Sequence, residues 1–231
     1  PRRHPYCRWQ ENRQGSAQEQ SMARYPIPEA LPQKPHRTEL LVRRSRFLAH
    51  CAHTPDPAAA RAFVESVRRG HADATHNCWA YAAGPPGDTA RIGSSDDGEP
   101  HGTAGRPMLQ VLLHSGVGEI CVVVSRWFGG VKLGTGGLVR AYQDSVRENL
   151  ALLPLARRVP QDRLRVSVSY AFLDAVNRML PACEAATVAE NYQEEAHLEI
   201  VLPTERVAEF LAALAAASNG SARATPMPAR D

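Results

Sequence analysis

The 231-residue sequence is 43% hydrophobic and 22% charged, which is typical of a globular protein. No apolar run approaches the roughly 20 residues that a membrane-spanning helix needs, so the sequence excludes a helical membrane protein. The net charge is +3, but residues 38–159 carry 14 basic and 11 acidic side chains while residues 160–220 carry four and nine. The middle of the chain can therefore meet a polyanion, whereas the segment after it repels one.

The first 37 residues contain seven basic side chains and six prolines and show no sustained periodicity, which predicts a flexible N-terminal arm. This segment lacks the apolar core of a signal peptide, so we expect a cytoplasmic protein. Met22 is a candidate translation start, and residues 1–21 are assigned no fold. The five cysteines are odd in number and include no C-x-x-C pair, which favours reduced thiols over disulfides.

The first predicted strand begins near Thr38, runs through Phe47 and ends before Pro55. A helix follows, with Asp56 as its N-cap and its end at Gly70. Residues 77–83 predict a short strand rich in aromatic side chains, and residues 108–112 predict a short helix.

Three potential metal ligands, His71, His76 and Cys78, lie close together in this region. No set of cysteines and histidines with zinc spacing completes a site. A buried thiol beside a hydrogen-bonded histidine is therefore the favoured interpretation.

Residues 94–107, with the sequence SSDDGEPHGTAGRP, are almost entirely turn-forming. Loops of this length inside a domain are uncommon and are often functional. Asp96, Asp97 and Glu99 supply three carboxylates that could hold Mg²⁺. The alternative is a turn in which the aspartates bond to nearby backbone, and the sequence favours this alternative.

Residues 119–125 form a continuous apolar run, which predicts a strand buried on both faces. A turn with five glycines follows, and then a helix whose buried stripe includes Leu138, Tyr142 and Val146. Such a turn before a helix N-terminus suits a phosphate group, although the P-loop lysine and the dinucleotide fingerprint are both absent. The alternative is that the glycines only permit a tight crossover and close helix packing. The predicted phosphate or RNA contacts are Arg126, Gly129, Gly130, Lys132, Gly134, Gly136, Gly137 and Arg140, with Arg43, Arg44 and Arg46 adding charge.

From Leu164 onward the pattern predicts the order β-α-β-β-α-β, which is the ferredoxin-like split βαβ arrangement. The predicted organisation is an arm over residues 1–37, a first domain over 38–157, a second domain over 160–225 and a tail over 226–231. The predicted fold class is α+β.

Four motifs resemble the YigZ/IMPACT family, and most closely its bacterial YigZ branch. They are RRSRF at residues 43–47, DATHNCWAY at 73–81, the loop at 94–109 and RWFGGVKLGTGGLVRAY at 126–142. The resemblance implies a first domain similar to domain 2 of ribosomal protein S5 and a ferredoxin-like second domain similar to domain V of a translation elongation factor. It also implies a family-specific loop containing Ser95, Asp96, Asp97, Gly98, Glu99, Pro100, Gly102, Thr103, Gly105 and Arg106. Arg43 and Arg44 replace a usual pair of lysines and keep the charge, whereas His101 departs from the family pattern and leaves a metal or proton role there unsupported.

The resulting expectation is a cytoplasmic protein that binds RNA or the ribosome and acts in translation or its regulation. The sequence assigns no catalytic residue and favours a protein that is not an enzyme and needs no cofactor. The alternative is a Mg²⁺-dependent enzyme that acts on a nucleotide or another phosphorylated small molecule. A protein partner of the acidic second domain is also expected, and a membrane is not.

Overall fold

The computed structural model describes residues 24–228, which form two compact units. The first unit comprises residues 25–158, and the second comprises residues 159–228 together with Arg24. Most of the predicted arm lies outside the described residues. Among the residues that are described, no helix is both long and apolar enough to cross a membrane.

The first unit contains a five-stranded antiparallel sheet with the strand order β2-β3-β6-β4-β5, and a separate two-stranded sheet formed by β1 and β7. Its elements are β1 (Tyr25–Pro28), β2 (His36–Val42), β3 (Ser45–His53), α1 (Pro57–Gly70), β4 (His76–Ala82), β5 (Ile92–Ser95), α2 (Gly105–His114), β6 (Ile120–Trp127), α3 (Gly134–Leu152) and β7 (Leu155–Arg158).

The central strand β6 is buried on both faces of the sheet, which confirms the sequence prediction. Val122 and Val124 belong to the core that includes residues of α2 and α3, whereas Cys121 and Val123 belong to the core beneath α1. The sheet is therefore a middle layer, with one helix on one face and two helices on the other.

Two sequence predictions near the start of this unit were wrong. The single strand expected from Thr38 is a hairpin, in which β2 and β3 are joined by a turn at Arg43 and Arg44. Residues 25–28, predicted to belong to the arm, form β1 and pair with β7 at the end of the first domain. The prolines in β1 suggested disorder, but proline is tolerated where the ladder has only one neighbouring strand.

The second unit contains a four-stranded antiparallel sheet with the strand order β11-β8-β10-β9. Its elements are β8 (Gln161–Val168), α4 (Tyr170–Met179), a 3-10 turn (Pro181–Cys183), β9 (Ala186–Tyr192), β10 (Ala196–Pro203), a second 3-10 turn (Thr204–Arg206), α5 (Val207–Ala217) and β11 (Arg223–Met227). Alternation along β8 and β10 buries Leu164, Leu198 and Ile200 on one face, and Val176 of α4 and Phe210 of α5 are buried with them. The predicted β-α-β-β-α-β order is confirmed.

Candidate functional site

The hairpin between β2 and β3 packs directly against the glycine loop that follows β6. The Gly129 amide donates a hydrogen bond to Ser45 Oγ at 3.2 Å. A Cβ atom added to Gly129 would lie 2.0 Å from the carbonyl carbon of Arg44, so a larger residue cannot occupy this position without moving the backbone. The hairpin tip and the glycine loop therefore form one continuous surface.

Arg43 and Arg44 occupy the turn itself, with φ angles of 46° and 69°. Two-residue hairpin turns of this kind favour asparagine and glycine, because side chains with a Cβ are strained in the left-handed region. Both arginines are exposed. The hairpin thus keeps two cationic side chains at a position that would accept smaller residues at lower cost.

Arg46 and Trp127 extend this surface onto the sheet. The guanidinium carbon of Arg46 lies 4.0 Å from the centroid of the Trp127 ring, a cation–π contact. The indole Nε1 of Trp127 donates to Asp73 Oδ2 at 2.9 Å, which fixes the orientation of the ring. Phe128, the next residue, is 48% exposed, and sequence reasoning missed it because a single aromatic residue after a strand carries no periodic signal.

Helix α3 begins beside this loop without a capping side chain. Leu133 occupies the N-cap position, no acidic residue lies in the first turn, and Gly134 and Gly136 are exposed. The first amides of a helix have no partner within the helix, so uncapped and exposed amides with a positive dipole favour an anion. We call the surface formed by residues 43–46, residues 127–132 and the first turn of α3 the basic tip.

Arg126 does not belong to the exposed surface, because it is only 5% exposed. Its Nη1 donates to Glu99 Oε1 at 2.5 Å, and the Tyr142 hydroxyl donates to the same oxygen at 2.8 Å. Burial raises the pKa of Tyr142, so this hydroxyl stays protonated as a donor. The loop of residues 94–107 is thereby joined through Glu99 to both β6 and α3. The basic tip therefore does not include Arg126, and a phosphate contact by Arg126 stays a prediction.

Asp96 and Asp97 are occupied by other partners. The Asp96 carboxylate accepts from the amides of Gly102, Ala104 and Gly105 at 2.7, 3.0 and 2.8 Å. Burial alone would raise the pKa of Asp96, but these hydrogen bonds outweigh it and the pKa is lowered. Asp97 Oδ2 accepts a hydrogen bond from the backbone amide of Asn77 at 2.6 Å, and the Asp97 carboxylate forms an ion pair with Arg68.

The three carboxylates of the loop consequently face different groups. Within residues 24–228, no cluster of three or more histidine, cysteine, aspartate or glutamate side chains is arranged to hold a metal ion. The loop instead supports the start of α2, since Asp96 binds the amides around Gly105. The backbone-bonded alternative for the two aspartates agrees with this geometry.

The rest of the loop forms turns and close contacts. Gly98 and Gly102 have φ angles of 85° and 75°, and the Thr103 hydroxyl donates to the Pro100 carbonyl at 2.7 Å. A Cβ at Gly105 would lie 2.7 Å from the backbone of Ser95. Arg106, at the end of this loop, is exposed.

The remaining residues predicted from sequence lie at the glycine turn and the start of α3. Lys132 and Arg140 are exposed, and Gly137 is partly buried. Gly130 has a φ angle of 83°.

The three possible metal ligands of the sequence also have separate partners. His71 Nε2 lies 2.9 Å from His50 Nε2, whereas His76 Nδ1 lies 2.8 Å from the Asp97 carbonyl oxygen. Cys78 is buried and donates to the Asp96 carbonyl at 2.9 Å, and burial raises the pKa of its thiol. The favoured interpretation of a buried thiol near a hydrogen-bonded histidine is confirmed.

Comparison with known proteins places these segments in recognised domains. Residues 43–150 match the Impact N-terminal domain, and residues 166–221 match a domain of unknown function, DUF1949. The chain is 47% identical over 180 residues to the IMPACT family member YigZ of Escherichia coli, which covers 78% of this chain and 88% of the relative. It is 34% identical over 182 residues to the IMPACT family member YvyE of Bacillus subtilis, covering 79% and 83%.

More distant relatives match part of the chain, and a solved structure matches most of it. Mouse Protein IMPACT is 35% identical over 112 residues, which covers 47% of this chain and 35% of that protein. A crystal structure described as a hypothetical protein is 42% identical, with a TM-score of 0.64, and the match covers 90% of this chain and all of the other.

Proposed function

The chain belongs to the IMPACT family, and from that premise we propose that it binds RNA through the basic tip and acts in translation or its regulation. The observation that carries the proposal is the pair of exposed arginines, Arg43 and Arg44, held in left-handed conformations against Gly129. Strained residues of this kind persist where the surrounding structure holds them, and they concentrate at functional sites.

Three charges of the basic tip are free to meet phosphate, whereas Arg46 forms an ion pair with Glu39. Among residues 24–228, Arg43, Arg44 and Lys132 form no ion pair with a carboxylate, whereas the buried Arg126 is neutralised by Glu99. The exposed amides at the start of α3 add a second kind of phosphate donor next to Lys132. Phosphate contacts of this kind supply most of the sequence-independent affinity for RNA.

The aromatic residues favour single-stranded RNA over a duplex. Phe128 is exposed, and Trp127 is held by Asp73 and carries Arg46 on its ring. Unpaired bases stack on aromatic rings and guanidinium groups, whereas the bases of a duplex are already stacked. A structured RNA with accessible loops, such as ribosomal RNA, fits this surface.

The fold supports the same proposal. We infer that the second unit is ferredoxin-like, because the sequential numbering of its four strands gives the order 4-1-3-2 across an antiparallel sheet. We also infer that the first unit is similar to domain 2 of ribosomal protein S5, as the family resemblance implies. Ribosomal protein S5 and the translation elongation factor, whose domains the two units resemble, both handle ribosomal RNA. Binding to such RNA would place the protein in the cytoplasm.

Salt-dependent RNA binding tests the proposal. We expect fluorescence anisotropy to show binding of a labelled single-stranded RNA and of ribosomal RNA fragments that weakens steeply between about 50 mM and about 200 mM salt. In Arg43→Ala/Arg44→Ala, the slope of log K against log salt should fall by about 1.4, since each contact to a single strand contributes about 0.7.

The matched control is Arg178→Ala/Arg223→Ala, which removes two exposed charges from the second unit and should leave the slope unchanged. Equal losses in both double variants, or no RNA binding at either salt concentration, would contradict the proposal. The enzymatic alternative is tested by measuring the melting temperature of the protein with a panel of nucleotides, with and without Mg²⁺. A nucleotide that raises the melting temperature, in a protein that does not bind RNA, would favour this alternative.

A further inference from the structure

The second unit exposes one edge strand whose second half lacks the usual protection against pairing. Strands β9 and β11 are the two edges of its sheet. Strand β11 carries Pro226, which removes an amide donor, whereas the seven residues of β9 include no proline and no lysine. Natural proteins use short length, proline, lysine and β-bulges to prevent an edge strand from accepting another chain. Among the described residues, no backbone hydrogen bond is formed along the outer edge of β9.

One irregularity restricts where a new strand can pair. The register between β9 and β10 shifts between Glu199 and Ile200, which leaves Val188 without a partner residue. This β-bulge twists the start of β9. The regular stretch that remains available for pairing is residues 189–192.

Apolar side chains flank this stretch. Val188, Tyr192 and Tyr170 are each about half exposed, at 52%, 53% and 51%. The rings of Tyr170 and Tyr192 stack with their centroids 6.3 Å apart, and the Tyr170 hydroxyl donates to the Gln193 carbonyl at 2.8 Å. These contacts hold two aromatic rings at the end of the open edge.

The charge of the segment identifies the chemistry of a partner. Residues 184–199 contain five glutamates and no lysine or arginine. Glu184 and Glu199 are paired with arginines, but Glu190, Glu194 and Glu195 form no ion pair within residues 24–228. This edge therefore repels nucleic acid, and it also disfavours a second copy of itself, because two β9 strands would bring like charges together.

We propose that β9 binds an extended segment of a partner protein that is rich in arginine or lysine, as an added strand of the sheet. In this mode the backbone hydrogen bonds of residues 189–192 supply affinity, and the side chains at the edge supply specificity. Basic side chains of the partner contact Glu190 and Glu194, and apolar ones cover Val188 and the two tyrosines. The site is independent of the basic tip and of RNA.

A synthetic peptide tests the site with the full chain. The probe is a fluorescein-labelled peptide of about ten residues with the repeat Arg-Thr-Val-Thr, which places arginine and valine in turn on the face shared by Glu190 and Tyr192 and is long enough for one strand. We expect binding by anisotropy, and we expect Val188→Lys/Glu194→Lys to weaken it about tenfold, because the change adds an edge lysine and reverses one charge. Hydrogen exchange should show new protection of β9 amides when the peptide is bound.

Three controls separate strand addition from simple charge attraction. A peptide with a central proline keeps its charge but cannot pair, and it should bind at least about tenfold more weakly. Glu148→Lys reverses one exposed charge on α3 and should leave peptide binding unchanged. RNA affinity of the Val188→Lys/Glu194→Lys variant should also remain unchanged. The proposal is overturned if the arginine–valine peptide does not bind, if the proline peptide binds equally well, or if Glu148→Lys weakens binding as much as the β9 variant.

Discussion

At the scale of single residues, the structure separates arginines that sequence reasoning treated alike. Arg126 is buried and neutralised by Glu99, so it fixes the position of a loop. Arg43 and Arg44 are exposed and unpaired within the described residues, so they remain available to a ligand. Removing one partner of a buried ion pair costs about 3–5 kcal/mol, because the other charge is left without compensation. Arg126→Ala is for that reason a poor probe of RNA binding, since it changes stability first.

His50 should make the stability of the protein depend on pH. Burial, together with the charges of His71 and Arg37, lowers the pKa of His50 to about 4 in the folded protein. In the unfolded chain the pKa is about 6.5, so between these values the unfolded chain binds a proton that the folded protein does not. The free energy of unfolding should therefore fall, by about 3 kcal/mol, as the pH falls from about 7 to about 4.

Urea unfolding at several pH values measures this dependence, and His50→Gln is the comparison. The variant cannot take up the proton, so its free energy of unfolding should change less over the same range. Asp96 also has a lowered pKa, so its contribution to the free energy of unfolding is lost as the pH falls. This loss occurs in both proteins and cancels when their free energies of unfolding are compared. Identical pH profiles for the two proteins would show that His50 is not the group responsible.

At the scale of elements, two glycines in the same segment should respond oppositely to substitution by alanine. A Cβ at Gly129 would lie 2.0 Å from the backbone of Arg44, whereas a Cβ at Gly136 has no heavy atom within 4 Å. Gly129→Ala should therefore destabilise the protein and displace the hairpin tip. Gly136→Ala lies within α3 and should stabilise it by about 0.5–1 kcal/mol, since alanine loses less conformational entropy than glycine in a helix.

Urea unfolding and RNA anisotropy on both variants measure these effects. If the hairpin and the glycine loop must be joined to bind RNA, Gly129→Ala should also weaken RNA binding under conditions where the variant is fully folded. Gly136→Ala retains the amide groups of the α3 N-terminus and should weaken RNA binding less than Gly129→Ala does. Equal RNA affinity for the two variants would show that the packing at Gly129 is structural only.

At the scale of the whole molecule, the division into two units allows the proposed functions to be tested apart. Each unit has its own buried core, and units of this kind generally fold independently. A fragment of residues 24–158 includes both β1 and β7, which pair with each other. It should bind RNA within about twofold of the full chain, because the basic tip lies entirely within it.

The matching fragment of residues 159–228 should not bind RNA, since its segment carries more acidic than basic side chains. Circular dichroism of each fragment establishes that it is folded before the affinities are compared. If only the second fragment binds RNA, the RNA-binding surface lies on the second unit and the proposed role of the basic tip is wrong.

Local sequence patterns determined much of the architecture. The apolar run of β6 predicted a strand buried on both faces, and alternation in β8 and β10 predicted one buried face. The apolar spacing after the glycines predicted α3 and placed Tyr142 in its buried stripe. These features follow from periods of two and 3.6 residues, which are properties of the chain itself. The sequence motifs also identified the family.

The tertiary structure decided which polar groups meet, because their partners are distant in sequence. Arg126 is paired with Glu99, 27 residues away, and the Gly129 amide bonds to Ser45, 84 residues away. No periodicity encodes such a partner, so a buried arginine and an exposed one look the same in the sequence. The turn at Arg43 and Arg44 was not predicted for a related reason. Arginine is not a usual turn residue, and the strained turn packs against Gly129, which is distant in sequence. Local patterns thus predicted the helices and most of the buried strands. The β2–β3 hairpin, the β1–β7 pair and the choice of which charges are neutralised inside depend on contacts between distant residues, which only the folded structure shows.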